Sequence, residues 1–238
     1  MREKIARKGW VKEVVYTKER WELLREKRKL ALPVLEIANA ISSSSMLHGS
    51  VARGDVEVTS DIDVIIPDPI PPFLIEVKLE ERGMKYYDRY IVQATPSSTP
   101  KIYYSLEPTG LITISYPLAK LSIKEYEFYK FGGWLDLKGL RKGLRVPGVD
   151  KRLVLITPTD YGHKEESILG KEEEVAELLG ISIETVKERE YVLLRRDKHG
   201  RTGVFLGYHI PPSESTSNAI MKLKERNKFF RKALDKLS

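Results

Sequence analysis

A short segment of the chain places a Gly-Ser pair ahead of two aspartates that lead into a β-branched run. Gly49-Ser50 is followed, after ten residues, by Asp61-Ile62-Asp63 and then by Val64-Ile65-Ile66. Successive side chains of a strand point to opposite faces, so Asp61 and Asp63 are predicted on one face with Ile62 in the core. Their Cα atoms are then roughly 6–7 Å apart. Two carboxylates on one face can share divalent ions.

The Gly-Ser pair adds groups that suit a phosphate. Gly49 has no side chain, so the backbone can approach a phosphate closely. Ser50 contributes a hydroxyl and a backbone N–H, which both donate hydrogen bonds. Together with the two aspartates, this pattern predicts a metal-dependent phosphoryl-transfer site. The alternative is a β-hairpin with an ordinary polar turn.

Residues 35–120 resemble the DNA polymerase β-type nucleotidyltransferase superfamily, and most closely its minimal and archaeal members. The resemblance is carried by Gly49-Ser50, Arg53-Gly54 and Ser60 through Asp63, which occur in the family's order and spacing. It implies an α/β (α+β) fold, in which a nucleotidyltransferase palm has a mixed β-sheet and flanking helices.

The same resemblance implies an enzyme that moves a nucleoside monophosphate from an NTP to an acceptor hydroxyl and releases pyrophosphate. Asp61 and Asp63 would be the catalytic residues and the ligands of Mg²⁺ or Mn²⁺. The expected nucleotide-binding residues are Gly49 and Ser50 at the triphosphate, Arg53 at a phosphate, and Ser60.

One departure from the family concerns a third carboxylate, which members carry on a later strand beside the two aspartates. The candidate strand, 111–116, offers Thr113 and Ser115 where that acid is expected. Asp88 or Glu107 could replace it only if the topology brings one of them close. The alternative function is therefore a catalytically weak or inactive nucleotide-binding module with a nucleic-acid-binding C-terminal region.

Composition limits the remaining classes. The chain has 238 residues, a net charge of +7 and no cysteine, which excludes disulfides, thiolate metal sites and cysteine nucleophiles. No apolar stretch is long enough for a membrane span or a secretory signal, so a cytoplasmic protein without a membrane partner is expected. The 32% of charged residues and the absence of cysteine favour a thermophilic source.

Positive charge concentrates at the two ends of the chain. Residues 1–32 hold 11 Lys/Arg and 5 Asp/Glu, residues 214–238 hold 7 and 3, and the intervening residues hold 23 and 26. Such clusters either attract a nucleic acid, with RNA favoured, or are solvated helix faces. We predict a basic segment and helix at 1–32, the palm at 33–121, a C-terminal α+β region at 122–213 and a basic helix at 214–238. A long helix is predicted from Thr17 to Ile41, with Pro33 kinking or splitting it.

The C-terminal region contains a pattern typical of a helix-turn-helix at 171–190, with Gly180 at the turn and Ser182 as the cap of the second helix. Two apolar runs joined by a basic turn predict a hairpin over 191–210, which together suggest a winged-helix unit. A purely structural helical hairpin and β-hairpin fit equally well. The basic residues of the predicted wing are the better nucleic-acid candidates: Arg195, Arg196, Lys198 and Arg201.

Residues 158–167 combine one histidine with several acids. A polar loop is favoured there over a metal or acid–base site, because the spacing matches no known ligand pattern.

Overall fold

The computed structural model describes residues 4–200 and 202–235, and these form a mixed α+β structure. Its strands, in chain order, are β1 (Val11–Val15), β2 (Met46–His48), β3 (Ile62–Ile65), β4 (Asp88–Gln93), β5 (Lys101–Ser105), β6 (Ile112–Pro117), β7 (Trp134–Asp136), β8 (Gly148–Val149), β9 (Val154–Thr159), β10 (Gly162–Ser167) and β11 (Leu206–His209). Its helices are α1 (Lys18–Ile41), α2 (Ser50–Arg53), α3 (Pro72–Glu81), α4 (Ile123–Gly132), α5 (Leu137–Arg141), α6 (Glu172–Leu179), α7 (Ile183–His199), α8 (Thr216–Arg226) and α9 (Lys228–Asp235). The predicted α+β class is therefore confirmed.

The chain divides into two compact units that are interleaved in sequence. Each unit consists of three separate stretches of the chain. The chain passes from one unit to the other inside α1, inside β2 and near the ends of loops. Unit 1 comprises Met1–Leu30, Leu47–Ser60 and Ile123–Thr202, and unit 2 comprises Ala31–Met46, Asp61–Ser122 and Gly203–Ser238.

Unit 1 is built around an antiparallel sheet in the order β1-β10-β9-β8. Apolar residues of β8 and β9 pack with α4, α6 and α7 into one core. The buried members of this core are Phe131, Val149, Leu153, Leu155, Ile168, Val175, Ala176, Val186 and Leu193. The core thus fixes the helix pair α6–α7 within the unit.

Unit 2 contains five adjacent strands in the order β11-β4-β5-β6-β3. The pairing of β3 with β6 is parallel, and the other pairings are antiparallel. One face of these strands packs into the core and is mainly apolar, as the buried Ile62, Ile91, Ile102 and Ile114 show, with Arg89 and Gln93 of β4 as buried polar members. Because side chains alternate, Asp63, Thr113, Ser105 and Asp88 lie on the other face.

The predicted hairpin over 191–210 is wrong. Helix α7 runs for 17 residues to His199, and Gly200 follows it with φ +88°. Strand β11 pairs with β4 instead of with residues 191–196. The apolar run that suggested a strand contains Leu193, which lies seven residues after Val186 and is buried with it in the core. That spacing is helical, so packing extends the helix through the run.

Two helices, α6 and α7, occupy the segment 171–190, with a turn between them. Gly180 adopts a left-handed conformation at φ +60° between α6 and α7. The Ser182 hydroxyl accepts a hydrogen bond from the Thr185 backbone N–H at 3.3 Å, which caps α7.

Two further helix predictions are adjusted by the structure. Helix α1 is continuous through Pro33, so that proline does not split it. The segment predicted as one C-terminal helix forms α8 and α9, because Asn227 ends the first and caps the second by accepting from the Phe229 and Phe230 N–H groups, both at 3.0 Å. Among the described residues, no helix has both the length and the apolar character that a membrane crossing requires.

Candidate active site

The two aspartates stand at the start of β3 in unit 2. Asp63 is the second residue of the strand and half-buried, whereas Asp61 precedes the strand and is exposed. Between and after them, Ile62 and Val64 are buried at 2% and 0% exposure. The alternation predicted from the sequence is therefore confirmed, and both carboxylates belong to the side of the strand that faces away from the apolar core.

A threonine from the neighbouring strand contacts the second aspartate. Thr113 of β6 is the parallel partner of Asp63, and its hydroxyl donates to Asp63 Oδ1 at 2.8 Å. Ser115, two residues later on the same strand, is 1% exposed, and its hydroxyl has no hydrogen-bond partner. Hydroxyls thus occupy the positions of β6 where the resemblance leads one to expect a carboxylate.

Asp88 does not replace the missing acid. The strand pairings put Asp63, Thr113, Ser105 and Asp88 in one row across the sheet, each on the next strand. Three strand spacings separate the first from the last, which is roughly 14 Å. Asp88 instead pairs with His209, at 2.5 Å between Oδ1 and Nε2.

Glu107 is also engaged elsewhere. Its carboxylate accepts hydrogen bonds from the Thr109 hydroxyl at 2.6 Å, the Thr109 N–H at 2.8 Å and the Leu111 N–H. These bonds, the Thr109 hydroxyl first, hold the pKa of Glu107 below its usual value. The carboxylate therefore closes the turn between β5 and β6. Within residues 4–200 and 202–235, no cluster of three or more His, Asp or Glu side chains could hold a metal ion.

Two tyrosines lie further along the polar face of unit 2. Tyr90 and Tyr103 are cross-strand partners, and their rings stack with centroids 5.2 Å apart and an interplanar angle of 4°. Burial, and then the negative charge of Asp63, raise the pKa of both hydroxyls. Both hydroxyls therefore stay protonated at neutral pH, and neither can act there as a general base.

The Gly-Ser pair forms a tight turn in unit 1, directly after β2. Gly49 has φ +81°, and a side chain at this position would meet no other atom within 4 Å. Its N–H donates to the Gly133 carbonyl at 3.0 Å. The single helical turn α2 follows and ends at Gly54, whose N–H donates to the Ser50 carbonyl at 2.7 Å. The positive φ favours glycine at position 49, although a side chain there would have room.

Arg53 is buried in an ion pair of the same turn. Its Nε and Nη2 atoms donate to the two oxygens of Asp55 at 3.0 and 2.8 Å, and Nη1 donates to the Gly132 carbonyl at 2.5 Å. The two charged side chains are 7% and 11% exposed. In this structure the guanidinium holds the turn together, and a contact with phosphate would require the pair to open.

Ser60 likewise stabilises a turn. Its hydroxyl accepts from the Glu57 N–H at 2.9 Å, and its carbonyl accepts from Lys27 Nζ at 2.6 Å.

The basic residues assigned to the wing lie on the last turns of α7. Arg195, Arg196 and Lys198 are exposed there, and Arg201 lies outside the described residues. Their neighbour Arg189 stacks on the Phe128 ring at 4.7 Å. Burial, and then the charge of Arg196, lower its pKa to about 10. The exposed basic side chains that were predicted for a wing therefore lie on the C-terminal half of α7.

Comparisons with known proteins give limited information. No family model and no curated protein matches the chain. Among solved structures, a cytoplasmic RNA terminal U-transferase aligns with a TM-score of 0.26 and 17% identity, covering 42% of this chain and 33% of that one. The Cid1 poly(U) polymerase aligns at 0.25 and 17%, covering 42% and 34%. The polymerase core of TRAMP, an RNA surveillance complex, aligns at 0.28 and 16%, covering 47% and 36%.

The chain thus spans about a third of the length of these proteins.

Proposed function

We propose that the chain is a metal-dependent nucleotidyltransferase that moves a nucleoside monophosphate from an NTP to an acceptor hydroxyl. The observation that carries the proposal is the pair Asp61 and Asp63, placed on the polar side of β3 with apolar residues between and after them. In the reaction, the acceptor oxygen forms a bond to the α-phosphorus, and the bond from that phosphorus to pyrophosphate breaks. Gly49 and Ser50 are proposed to bind the triphosphate, on the strength of the sequence motif.

The two carboxylates suit a single hard cation. Mg²⁺ is commonly bound by one or two carboxylates and completes its octahedral shell with water and substrate phosphates. Asp61 and Asp63 satisfy that requirement, and a bound ion would neutralise charge on the phosphates. A second ion lacks a further carboxylate, because Thr113 donates to Asp63 where an acid would be needed. The proposed chemistry therefore rests on one cation.

A second candidate function follows from the hydroxyls of Thr113 and Ser115, which stand where a third carboxylate is expected. If one cation supports binding but not turnover, the chain is a nucleotide-binding module. Incubation with labelled ATP, CTP, GTP or UTP, Mg²⁺ or Mn²⁺, and total cellular RNA and protein separates the two functions. Label transferred to RNA or protein supports the enzyme and gives its acceptor class. Tight NTP binding with no transfer to any acceptor supports the module.

Restoring the missing carboxylate is a direct test of this distinction. We expect Thr113→Asp to raise the transfer rate at least about tenfold, because the new carboxylate would lie beside Asp63 and help to anchor a second cation. Without metal, repulsion between the two acids should lower Tm, and Mg²⁺ should restore it. Thr113→Asn is the matched uncharged control. An unchanged rate together with no Mg²⁺-dependent gain in Tm would contradict the geometry assigned to Thr113.

RNA is the acceptor that the charge distribution favours. The proposed contacts are the basic termini and Arg195, Arg196 and Lys198, with Arg201 next in sequence. RNA affinity should fall steeply with salt, because each neutralised phosphate releases counterions.

Replacing Arg195, Arg196 and Lys198 by Gln should lower the slope of log K against log salt by up to about 2. The matched control replaces the exposed lysines Lys120, Lys138 and Lys142 by Gln and removes the same charge. Equal slopes for the two triple variants would exclude α7 as the contact. Absence of any RNA binding at ~50 mM salt would exclude the RNA partner.

A further inference from the structure

Two phenylalanine rings of unit 2 contact each other at the protein surface. Phe205 precedes β11 and is 39% exposed, and Phe229 on α9 is 41% exposed. Their ring centroids are 5.5 Å apart, and the ring planes are nearly perpendicular at 85°. Helix α9 packs into the unit through other positions, where Phe230 and Ala233 are buried. Packing of the core therefore does not account for the two exposed rings.

Exposed cations accompany these rings on α9. Lys228 Nζ lies 5.2 Å from the centroid of the Phe229 ring, which is within the range of a cation–π contact. Lys232 follows Phe229 by three residues and Lys228 by four, so these side chains share one side of the helix. Lys228, Arg231 and Lys232 are all exposed. Residues 224–235 as a whole carry five Lys/Arg and two Asp/Glu, so the rings belong to a basic surface.

The exposed apolar area is small for a stable protein interface. Together with Val204, which precedes Phe205 and is 54% exposed, the two rings expose on the order of 250 Å². A partner in a protein complex of standard size contributes about 800 Å². A stacked base, by contrast, needs only the face of one ring.

We propose that Phe205, Phe229 and the cations of α9 bind single-stranded RNA, with bases stacked on the rings and phosphates at the cations. Aromatic rings beside Lys and Arg bind unpaired strands, because every base has a face that can stack and every nucleotide carries a phosphate. In a duplex the base faces are stacked on one another and are not available to the rings. The inference rests on the proposed function for the identity of the strand, since RNA is the acceptor proposed above.

The rings and Asp63 belong to the same unit. The Phe205 N–H donates to the Ala94 carbonyl at 3.1 Å, which continues the pairing of β11 with β4. Ala94 follows Asp88, which is in the row of Asp63, by six residues, and four strand spacings separate β11 from β3. Phe205 is therefore roughly 25–30 Å from Asp63. At the base spacing of a stacked strand, about 3.4 Å, roughly eight nucleotides span this distance. The site would thus hold RNA several nucleotides away from its reacting end.

Fluorescence anisotropy of a single-stranded RNA of about 12 nucleotides, measured with the full-length protein, tests the site directly. We expect Phe205→Leu and Phe229→Leu each to weaken binding roughly tenfold, because leucine keeps the apolar packing but removes the ring on which a base stacks. Phe229→Trp keeps an aromatic face and should bind within about twofold of the wild type. Phe73→Leu removes a ring that is 61% exposed on α3 of the same unit, and it is the matched control that should leave binding unchanged.

The dependence on salt separates the rings from the cations. Stacking releases no counterions, so the two ring variants should keep the wild-type slope of log K against log salt. Replacing Lys228, Arg231 and Lys232 by Gln should lower the magnitude of that slope by up to about 2. A duplex RNA of the same length should bind the wild type and the ring variants equally, because it offers no unstacked base.

Three results would overturn the proposed RNA site. The first is wild-type affinity for the single strand in both Phe205→Leu and Phe229→Leu. The second is tighter binding of a DNA strand of the same sequence, which would contradict the assignment to RNA. The third is a change in oligomeric state of Phe229→Leu by sedimentation velocity with unchanged RNA affinity, which would assign the rings to a contact between two copies of the chain.

The labelled-NTP assay distinguishes failure of this inference from failure of the proposed function. The ring variants should raise KM for the long RNA acceptor roughly tenfold and leave KM for a trinucleotide unchanged, because a trinucleotide at Asp63 cannot reach Phe205. Transfer to RNA with wild-type KM for both acceptors would overturn the inference and leave the proposed function standing. Ring-dependent RNA binding without transfer to any acceptor would overturn the proposed function and leave the RNA site standing.

Discussion

Replacing both Asp61 and Asp63 by Asn should abolish metal-dependent nucleotidyl transfer, with a loss of at least about 1,000-fold. Asn has nearly the same shape as Asp but no charge, so the double variant keeps the strand and loses the electrostatic attraction for the cation. Mg²⁺-dependent NTP binding should disappear together with transfer. Titration calorimetry with Mg-ATP and the labelled-NTP transfer assay measure the two effects.

The matched control is Asp88→Asn, which neutralises a carboxylate on the same sheet roughly 14 Å from Asp63. It should leave both NTP binding and transfer at the wild-type level. The Tm of the double variant should equal or exceed that of the wild type, since two neighbouring negative charges are removed. Unchanged Mg-ATP binding in the double variant would refute the assignment of Asp61 and Asp63.

Strand β3 and the placement of Asp61 and Asp63 were predictable because the sequence pattern that sets them is local. Ile62 and Val64 alternate with the aspartates over a few residues, and a period of two predicts which side chains are buried. The glycine at position 49 is a local signal of the same kind, since a positive φ favours glycine. These signals depend on neighbours in the sequence, and the structure agrees with them.

The predictions that were wrong concern segments whose structure depends on contacts with residues elsewhere in the chain. The run from Tyr191 to Leu194 is apolar enough for a strand, and only the burial of Leu193 with Val186 in the core of unit 1 makes it helical. The seven-residue spacing from Val186 to Leu193 was the feature of the sequence that indicated a helix. Residues 158–167 were predicted as a polar loop, but they comprise the end of β9, a short turn and strand β10, which pairs with β9. There the polar residues His163 and Glu165 face inward and find hydrogen-bond partners in Tyr16, 147 residues away, and in Arg152, 13 residues away.

The role of Arg53 shows the same limit for the site. The motif indicates a phosphate contact, whereas the structure places the guanidinium against Asp55 and the Gly132 carbonyl. Gly132 is 79 residues away along the chain. No pattern in the sequence around Arg53 predicts a partner that far along the chain. The question of the third acid could likewise be posed from the sequence, but only the strand pairings locate Thr113 beside Asp63 and Asp88 three strands away.

The buried ion pair should make Asp55 one of the most sensitive positions of unit 1. Asp55→Ala leaves the Arg53 charge buried without its bidentate partner, and this should lower the free energy of unfolding by about 3–5 kcal/mol. Chemical denaturation followed by circular dichroism measures that loss. The double variant Arg53→Met/Asp55→Ala removes both charges and should recover much of the stability, because no unpaired charge then remains buried.

An exposed ion pair of similar length provides the control. Lys78 and Glu81 are 2.7 Å apart on α3, with side chains 32% and 53% exposed, and Glu81→Ala should cost less than about 1 kcal/mol. Because Arg53 holds the turn, the double variant should recover stability without recovering full Mg-ATP affinity. A loss below about 1 kcal/mol for Asp55→Ala would show that Arg53 finds another partner. In that case the guanidinium would be free enough to contact a phosphate, as the sequence motif predicts.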